Sequence, residues 1–204
     1  MLKRIGRIFL LGIFCFALLW CWRVYSNVKQ VLTYESMVEE VLAEHQSNAD
    51  EDLILAMIYT ETKGNADDVM QSSESATGMA NSITDSKTSV HQGVTVLTEN
   101  LALAEEVGVD VWTAVQAYNF GQNYINYVAK NGGVSTVELA RSYSREVVAP
   151  SLGNTIGETY RYYNPIALVY GGGELYKNGG NIYYAKEVRV NRLLIQVVRL
   201  FLND

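Results

Sequence analysis

From Ser36 onward apolar residues recur every three or four positions, and that spacing restricts the chain to packed helices. Side chains three and four residues apart share one helix face, whereas a half-buried strand needs strict alternation. Val38, Val41 and Leu42 follow Ser36 and Glu39, which stand in capping-box spacing, so a first helix is expected near 36–46. Leu53, Ile54, Met57 and Ile58 carry a second helix to Glu61, with Asn48 or Asp50 to cap it and Gly64 to turn the backbone away. Val90, Val94, Leu97, Leu101 and Ala104 predict a long helix over 86–107, ended by Gly108. Asp110 caps a helix through Val111, Trp112, Val115 and Tyr118 that Gly121 interrupts, and another is expected over 124–130. Ser135 or Thr136 opens the next, through Val137, Leu139, Ala140 and Tyr143, and a last helix covers about 183–202, packing through Val188, Leu194, Ile195, Val198 and Phe201. Residues 64–86 read as a polar loop, and 150–181, with both prolines and seven glycines, as loop and irregular structure. The expected fold is all-α, in one domain.

The N-terminus follows another rule. Ile8–Trp22 carries no charge, Lys3, Arg4 and Arg7 precede it and Arg23 ends it, which is an export signal with a positive flank. The run is shorter than the ~20 residues of an ordinary span, but Val24 and Tyr25 extend it and the flanking arginines can snorkel. No A-x-A site follows, and Trp20 before Cys21 spoils a lipoprotein cleavage site. Residues 1–23 are therefore read as an uncleaved membrane anchor, 24–35 as a linker and 36–204 as the domain, outside the cell. Cleavage of the signal would instead give a secreted protein.

All 22 acidic residues lie beyond Arg23, and four of the 16 basic ones precede Val24, so the exported part has 12 basic against 22 acidic residues, formally −10. Such a balance argues against nucleic acid as a partner. Cys15 and Cys21 both sit in the apolar run, which leaves the exported part without a disulfide or a thiol nucleophile. His45 and His91 lack H-x-x-x-H spacing, and no calcium or phosphate loop is present, so no metal or cofactor is expected.

Glu61 closes an apolar stripe, which turns its carboxyl toward the core. Desolvation disfavours the ionised form, and a carboxylic acid that stays protonated near neutral pH can give its proton to a leaving sugar oxygen. Cleaving a glycosidic bond also requires something to deal with the oxocarbenium-like carbon. Asp67, Asp68, Glu74 and Asp85 are the available second carboxylates, and Glu74 ranks first, although capping its own loop would explain it equally well. Failing a carboxylate, the 2-acetamido group of the substrate could assist, and an anhydro sugar could form. Gln71, Ser72 and Ser73 offer donors and acceptors for N-acetyl and hydroxyl groups or for water. Tyrosine is abundant, with 14 copies, and Tyr162, Tyr163, Tyr183 and Tyr184 are candidate walls for a sugar cleft or simply packing residues.

Three strings follow one another: Glu61-Thr62-Lys63-Gly64, Met70-Gln71-Ser72-Ser73-Glu74-Ser75, and Ala117-Tyr118-Asn119-Phe120-Gly121. In this order they resemble the lysozyme-like superfamily of lytic transglycosylases and goose-type lysozymes, and most closely the CwlT-like lysozyme domain family of the pneumococcal vaccine antigen A type. The resemblance covers roughly Ser36 to Val188. It implies a helical lysozyme-like domain with Glu61 as catalytic acid, Tyr118 and Asn119 lining the glycan cleft, and no cofactor. The implied partner is the peptidoglycan glycan strand, and the implied activity is hydrolysis of the β-1,4 bond between N-acetylmuramic acid and N-acetylglucosamine. Two departures from the broader transglycosylase pattern, the short loop before Gln71 and Ser72-Ser73 at an ordinarily apolar place, point to the CwlT-like branch. The competing readings are a lytic transglycosylase, a non-catalytic wall-binding surface protein and a membrane-tethered scaffold.

Overall fold

The computed structural model describes residues 2–47 and 49–202. Its helices run in chain order α1 Leu2–Leu32, α2 Glu35–His45, α3 Glu51–Glu61, α4 Ser73–Thr77, α5 Ser86–Glu106, α6 Val111–Phe120, α7 Asn123–Lys130 and α8 Val137–Tyr143. A π-helical stretch, Ser144–Val148, leads into the short α9 Ala149–Ser151. Strand β1 Thr159–Arg161, α10 Pro165–Gly171, strand β2 Glu174–Tyr176 and α11 Tyr184–Leu200 complete the chain. The fold is helical, as the spacing demands, with one addition: β1 and β2 pair antiparallel, Tyr160 opposite Leu175, inside the segment expected to be irregular.

Local chemistry explains several helix starts. Asp50, Asp85, Asp110 and Thr136 each turn a side-chain oxygen onto the backbone N–H three residues on, at 2.9, 2.8, 2.8 and 3.1 Å. Asn48 lies outside the described residues. Ser135 does not cap; its hydroxyl pairs with the Tyr124 hydroxyl at 2.7 Å. The Ser36–Glu39 capping box does not form, because Tyr34 takes the N-cap position with helical dihedrals and no side-chain cap bond. Only Thr33 and Tyr34 separate α1 from α2, so no extended residue remains to carry a box. The expected linker is also helical as far as Leu32, and Val28 and Val31 of that stretch are fully buried in the core.

The larger apolar core gathers Val28 and Val31 of α1, residues 53–59 of α3, Val90, Val94 and Leu97 of α5, and Val188, Ile195 and Val198 of α11. Phe201, expected on the packing face of α11, is 74% exposed; it lies one residue past the helix end, where the face is no longer maintained. α11 lies along α3 and is fixed by Arg192 on Asp50, by Gln196 on Asp52, and by Arg199 on Glu35, Glu51 and Asp52. A second core, built from Phe120, Tyr124, Ile125, Tyr143 and Tyr183, supports the hairpin side. The polar loop 64–86 is more ordered than its composition suggests. It contains α4, and Val69 and Met70 within it are completely buried. Gly93 on α5 makes room for Met70, since a Cβ there would stand 2.5 Å from the Met70 sulfur.

Candidate functional site

Glu61 is the last residue of α3, and Thr62, Lys63 and Gly64 then turn the chain, with positive φ at Lys63 and Gly64. Two cavities meet at this point. One, about 730 Å³, is lined by Glu61, Gln71, Glu74, Tyr118, Asn119 and Tyr143, among others. The second, about 400 Å³, is lined by Glu61, Asn119, Tyr160, Tyr162, Tyr184 and Glu187. Glu61 and Asn119 line both, so the two cavities adjoin at these residues. Burial pushes the Glu61 carboxyl up to about 7, with the nearby Tyr184 side chain opposing the shift and the charges of Asp68 and Glu187 adding to it. A group with that value is half protonated at neutral pH, the condition a general acid needs.

Asp68 organises the loop behind Glu61. Its carboxylate accepts from the Ser72 and Ser73 N–H groups at 2.9 and 3.0 Å and from the Ser72, Ser73 and Ser89 hydroxyls at 3.3, 2.6 and 2.6 Å. Burial works to raise the Asp68 carboxyl, yet these bonds outweigh it and hold the group below its ordinary value. Ser89 also accepts from the Met70 N–H at 2.9 Å, which ties the loop to α5. Gln71 takes a left-handed φ of 50° as the chain leaves that buried pair, and its amide returns to the Asp68 carbonyl at 3.0 Å.

From the other side come α6 and α11. The Tyr118 hydroxyl donates to the Met70 carbonyl at 2.9 Å, and its ring stacks on Tyr184 with centroids 6.2 Å apart and planes 9° from parallel. Asn119 turns its carbonyl oxygen to the Asn181 N–H at 2.7 Å. Gly180 stands beside that bond, and a Cβ there would lie 2.8 Å from the same oxygen. Glu187 accepts from the Tyr162 hydroxyl at 3.2 Å through one oxygen, while its other oxygen is buried without a partner among the described residues. Burial, the largest influence, raises its carboxyl. The Tyr184 hydroxyl is likewise buried with no partner in hydrogen-bond geometry.

The structure thus brings Glu61, Gln71, Ser72, Ser73, Glu74, Tyr118 and Asn119 to one cavity, but not all on equal terms. Gln71 and Glu74 are exposed there, whereas Ser72 and Ser73 are 2% exposed and spend their hydroxyls on Asp68 and, for Ser72, on the Ser89 carbonyl. Tyr183 is placed elsewhere: it is fully buried in the second core, with its hydroxyl donating to the Gly171 carbonyl at 2.9 Å and accepting from Arg141 at 3.1 Å. Its neighbour Tyr184 faces Glu61 instead. Tyr162 lines the second cavity, while Tyr163 is 85% exposed and lines neither. Of the four acidic candidates, Asp85 caps α5, Asp67 is exposed, Glu74 stands on the rim and Asp68 holds the loop. Glu187, Asn181 and Ser89 escaped the sequence reading. For Glu187 a signal existed, the one acid of the last helical run, three residues beyond Tyr184 and beside Val188.

A pneumococcal vaccine antigen A homologue of Streptococcus pyogenes serotype M6 is 63% identical over 178 residues, which is 87% of this chain and 89% of that protein. The bifunctional muramidase/DL-endopeptidase CwlT of Bacillus subtilis is 42% identical over 93 residues, 46% of this chain but 27% of CwlT. A solved structure from Staphylococcus aureus, described as similar to a lipoprotein of the NLP/P60 family, superposes with a TM-score of 0.71 at 35% identity, covering 80% of this chain and 52% of that one. The lysozyme-like family profile matches residues 28–192, and the chain belongs to that family.

Proposed function

We propose that this chain is an N-acetylmuramidase that cuts the β-1,4 bond between N-acetylmuramic acid and N-acetylglucosamine in peptidoglycan, with Glu61 as general acid. The observation that carries the reading is Glu61 itself, a carboxyl raised to about 7 by burial and standing where the two cavities adjoin, which we read as the lobes of one cleft. A glycan threaded along the cleft would place sugars on both sides of that proton. Tyr118 and Asn119 position it from α6, Gln71 and Glu74 offer polar contacts on the rim, and Tyr160, Tyr162 and Tyr176 give aromatic surface in the second lobe. The relative named a muramidase supports glycosidic cleavage over a purely binding role.

Hydrolysis requires a water beside the anomeric carbon. Ser72 and Ser73 are committed to Asp68, so that task falls to Glu74 or Glu187, the cleft carboxylates not consumed by the loop. α1 contains one stretch, Phe9–Leu32, apolar and long enough to cross a membrane, and we assign its part up to Arg23 as an uncleaved anchor with the domain on the outer side. Digestion of purified sacculi in oxygen-18 water tests the reaction. Label on the reducing-end N-acetylmuramic acid is expected, together with its loss in Glu61→Gln. Unlabelled 1,6-anhydro products would replace hydrolysis by transglycosylation, and full lysis by folded Glu61→Gln protein would remove Glu61 from the chemistry.

A further inference from the structure

The anchor helix does not end where the domain begins. α1 is one continuous helix from Leu2 to Leu32, and its outer part belongs to the catalytic domain's own core: Val28 and Val31 are fully buried against α3 and its neighbours. The lysozyme-like match itself begins at residue 28, inside this helix. Two further bonds fix the join. The Gln30 side-chain amide donates to the Gly64 carbonyl at 3.1 Å, and the Tyr34 hydroxyl donates to the same oxygen at 3.2 Å. Gly64 lies against them so closely that a Cβ there would stand 3.0 Å from the Tyr34 ring and 3.2 Å from the Gln30 side chain. Gly64 is three residues beyond Glu61, and Tyr59, two before it, lies beside Asn27 and Arg23.

The position of the bilayer follows from the same helix. Trp20 and Trp22 are 52% and 68% exposed, Tyr25 is 38% exposed, and Arg23 lies among them, the aromatic and basic signature of a membrane–water interface. From Arg23 to Gln30 an α-helix rises only about 10 Å. No flexible residues intervene over that distance.

Resting on the proposed muramidase activity and anchor, we propose that α1 is a rigid mast that holds the Glu61 cleft at a fixed height just above the outer membrane face, so that the substrate is membrane-proximal glycan, newly exported strands, and not the older wall farther out. A flexible tether would let the domain sample a range of heights. A helix packed into the domain core does not.

The test uses the full chain in its own membrane. Wall glycan is pulse-labelled with tagged N-acetylglucosamine and chased, so that label moves outward with time. For the native chain, released labelled fragments are expected to fall several-fold as the chase lengthens. A Gly/Ser segment of about 20 residues between Arg23 and Val24, spanning about 25 Å on average, should flatten that dependence. A helical insert of about 18 residues, raising the domain about 27 Å, should shift release toward aged label. Release independent of chase time in the native chain, or a folded insert variant with native dependence, would overturn the mast. Each protein is also assayed in detergent on purified sacculi. Loss of cleavage there by the native chain would overturn the muramidase reading, whereas equal cleavage there by native and insert proteins isolates the effect of height.

Discussion

The Tyr118 hydroxyl and the Met70 carbonyl, 2.9 Å apart, join α6 to the loop that follows Glu61. Tyr118 is an aromatic wall of the cleft, and Met70 is the buried residue on which the exposed Gln71 and Glu74 depend for their position. The side chain of Met70 in turn rests on Gly93. A methyl group at 93 would meet its Sδ at 2.5 Å, its Cε at 2.7 Å and its Cβ at 3.0 Å, and the last cannot be relieved by rotating the thioether. Gly93→Ala should therefore lower stability by about 1–3 kcal/mol, the usual cost of overpacking, and reduce wall cleavage through Gln71 and Tyr118. Urea unfolding beside a sacculus-release assay checks both; unchanged stability and activity would show that the contact is slack.

Asp68 makes the loop sensitive to acid. Its carboxyl is held below the ordinary range, so the folded state favours the charged form. The stability it supplies is fully present above the unfolded value of about 3.9 and is lost as pH falls through the lower folded value. Asp68→Asn keeps the size but turns an amide donor toward Ser72 or Ser73, and should cost about 2 kcal/mol at pH 7. The variant should also lose less stability than the native chain on acidification from pH 5 to pH 3. Unfolding midpoints measured across that range decide it, and parallel curves would assign the acid lability to other groups.

Much of the fold and part of the site were legible in the chain. Periodic apolar residues located the long helices, and Asp50, Asp85 and Asp110 announced their starts, because caps and amphipathic faces are local properties. Glu61 was legible for the same reason, placed by a helix end, whereas Asn119 came only through the resemblance of its Ala-Tyr-Asn string. The role of Asp68 as the loop's organiser was not legible, because the partner that turns it inward is Ser89, on α5. No spacing within the loop carries that fact. Choosing between Tyr183 and Tyr184 needed the register of α11: neighbouring helical residues point about 100° apart, and helix ends read from sequence are uncertain by one or two positions. The reading of residues 24–35 as a linker missed Val28 and Val31, whose burial comes from contacts with the folded domain that no local pattern carries.

Glu61 should weaken the protein it serves. Its folded value near 7 lies above the ordinary carboxylate value, so the unfolded chain gives up the proton first as pH rises. The Glu61 contribution to stability is therefore greatest below about pH 4, declines between there and about pH 7, and levels off above. Glu61→Gln removes the titration and should be more stable than the native chain at pH 8 by about 1–2 kcal/mol, after allowance for partial solvent access. Thermal unfolding at pH 5 and pH 8 measures this. A native protein as stable as Glu61→Gln at pH 8 would mean that burial does not raise the acid.

The environment of Glu61 can also be tuned one neighbour at a time, and the two neighbours on α11 act in opposite directions. Tyr184 draws the Glu61 carboxyl down, whereas the charge of Glu187 pushes it up. If Glu61 must be protonated to act, the alkaline limb of the pH profile reports its value. Tyr184→Phe removes the polar neighbour while keeping the ring on Tyr118, and should move that limb to higher pH. Glu187→Gln removes the charge and keeps an acceptor for the Tyr162 hydroxyl, and should move the limb to lower pH. Rates of glycan release from purified sacculi between pH 5 and pH 9 compare the three proteins. Limbs that shift together, or in the reversed order, would show that a group other than Glu61 governs the profile.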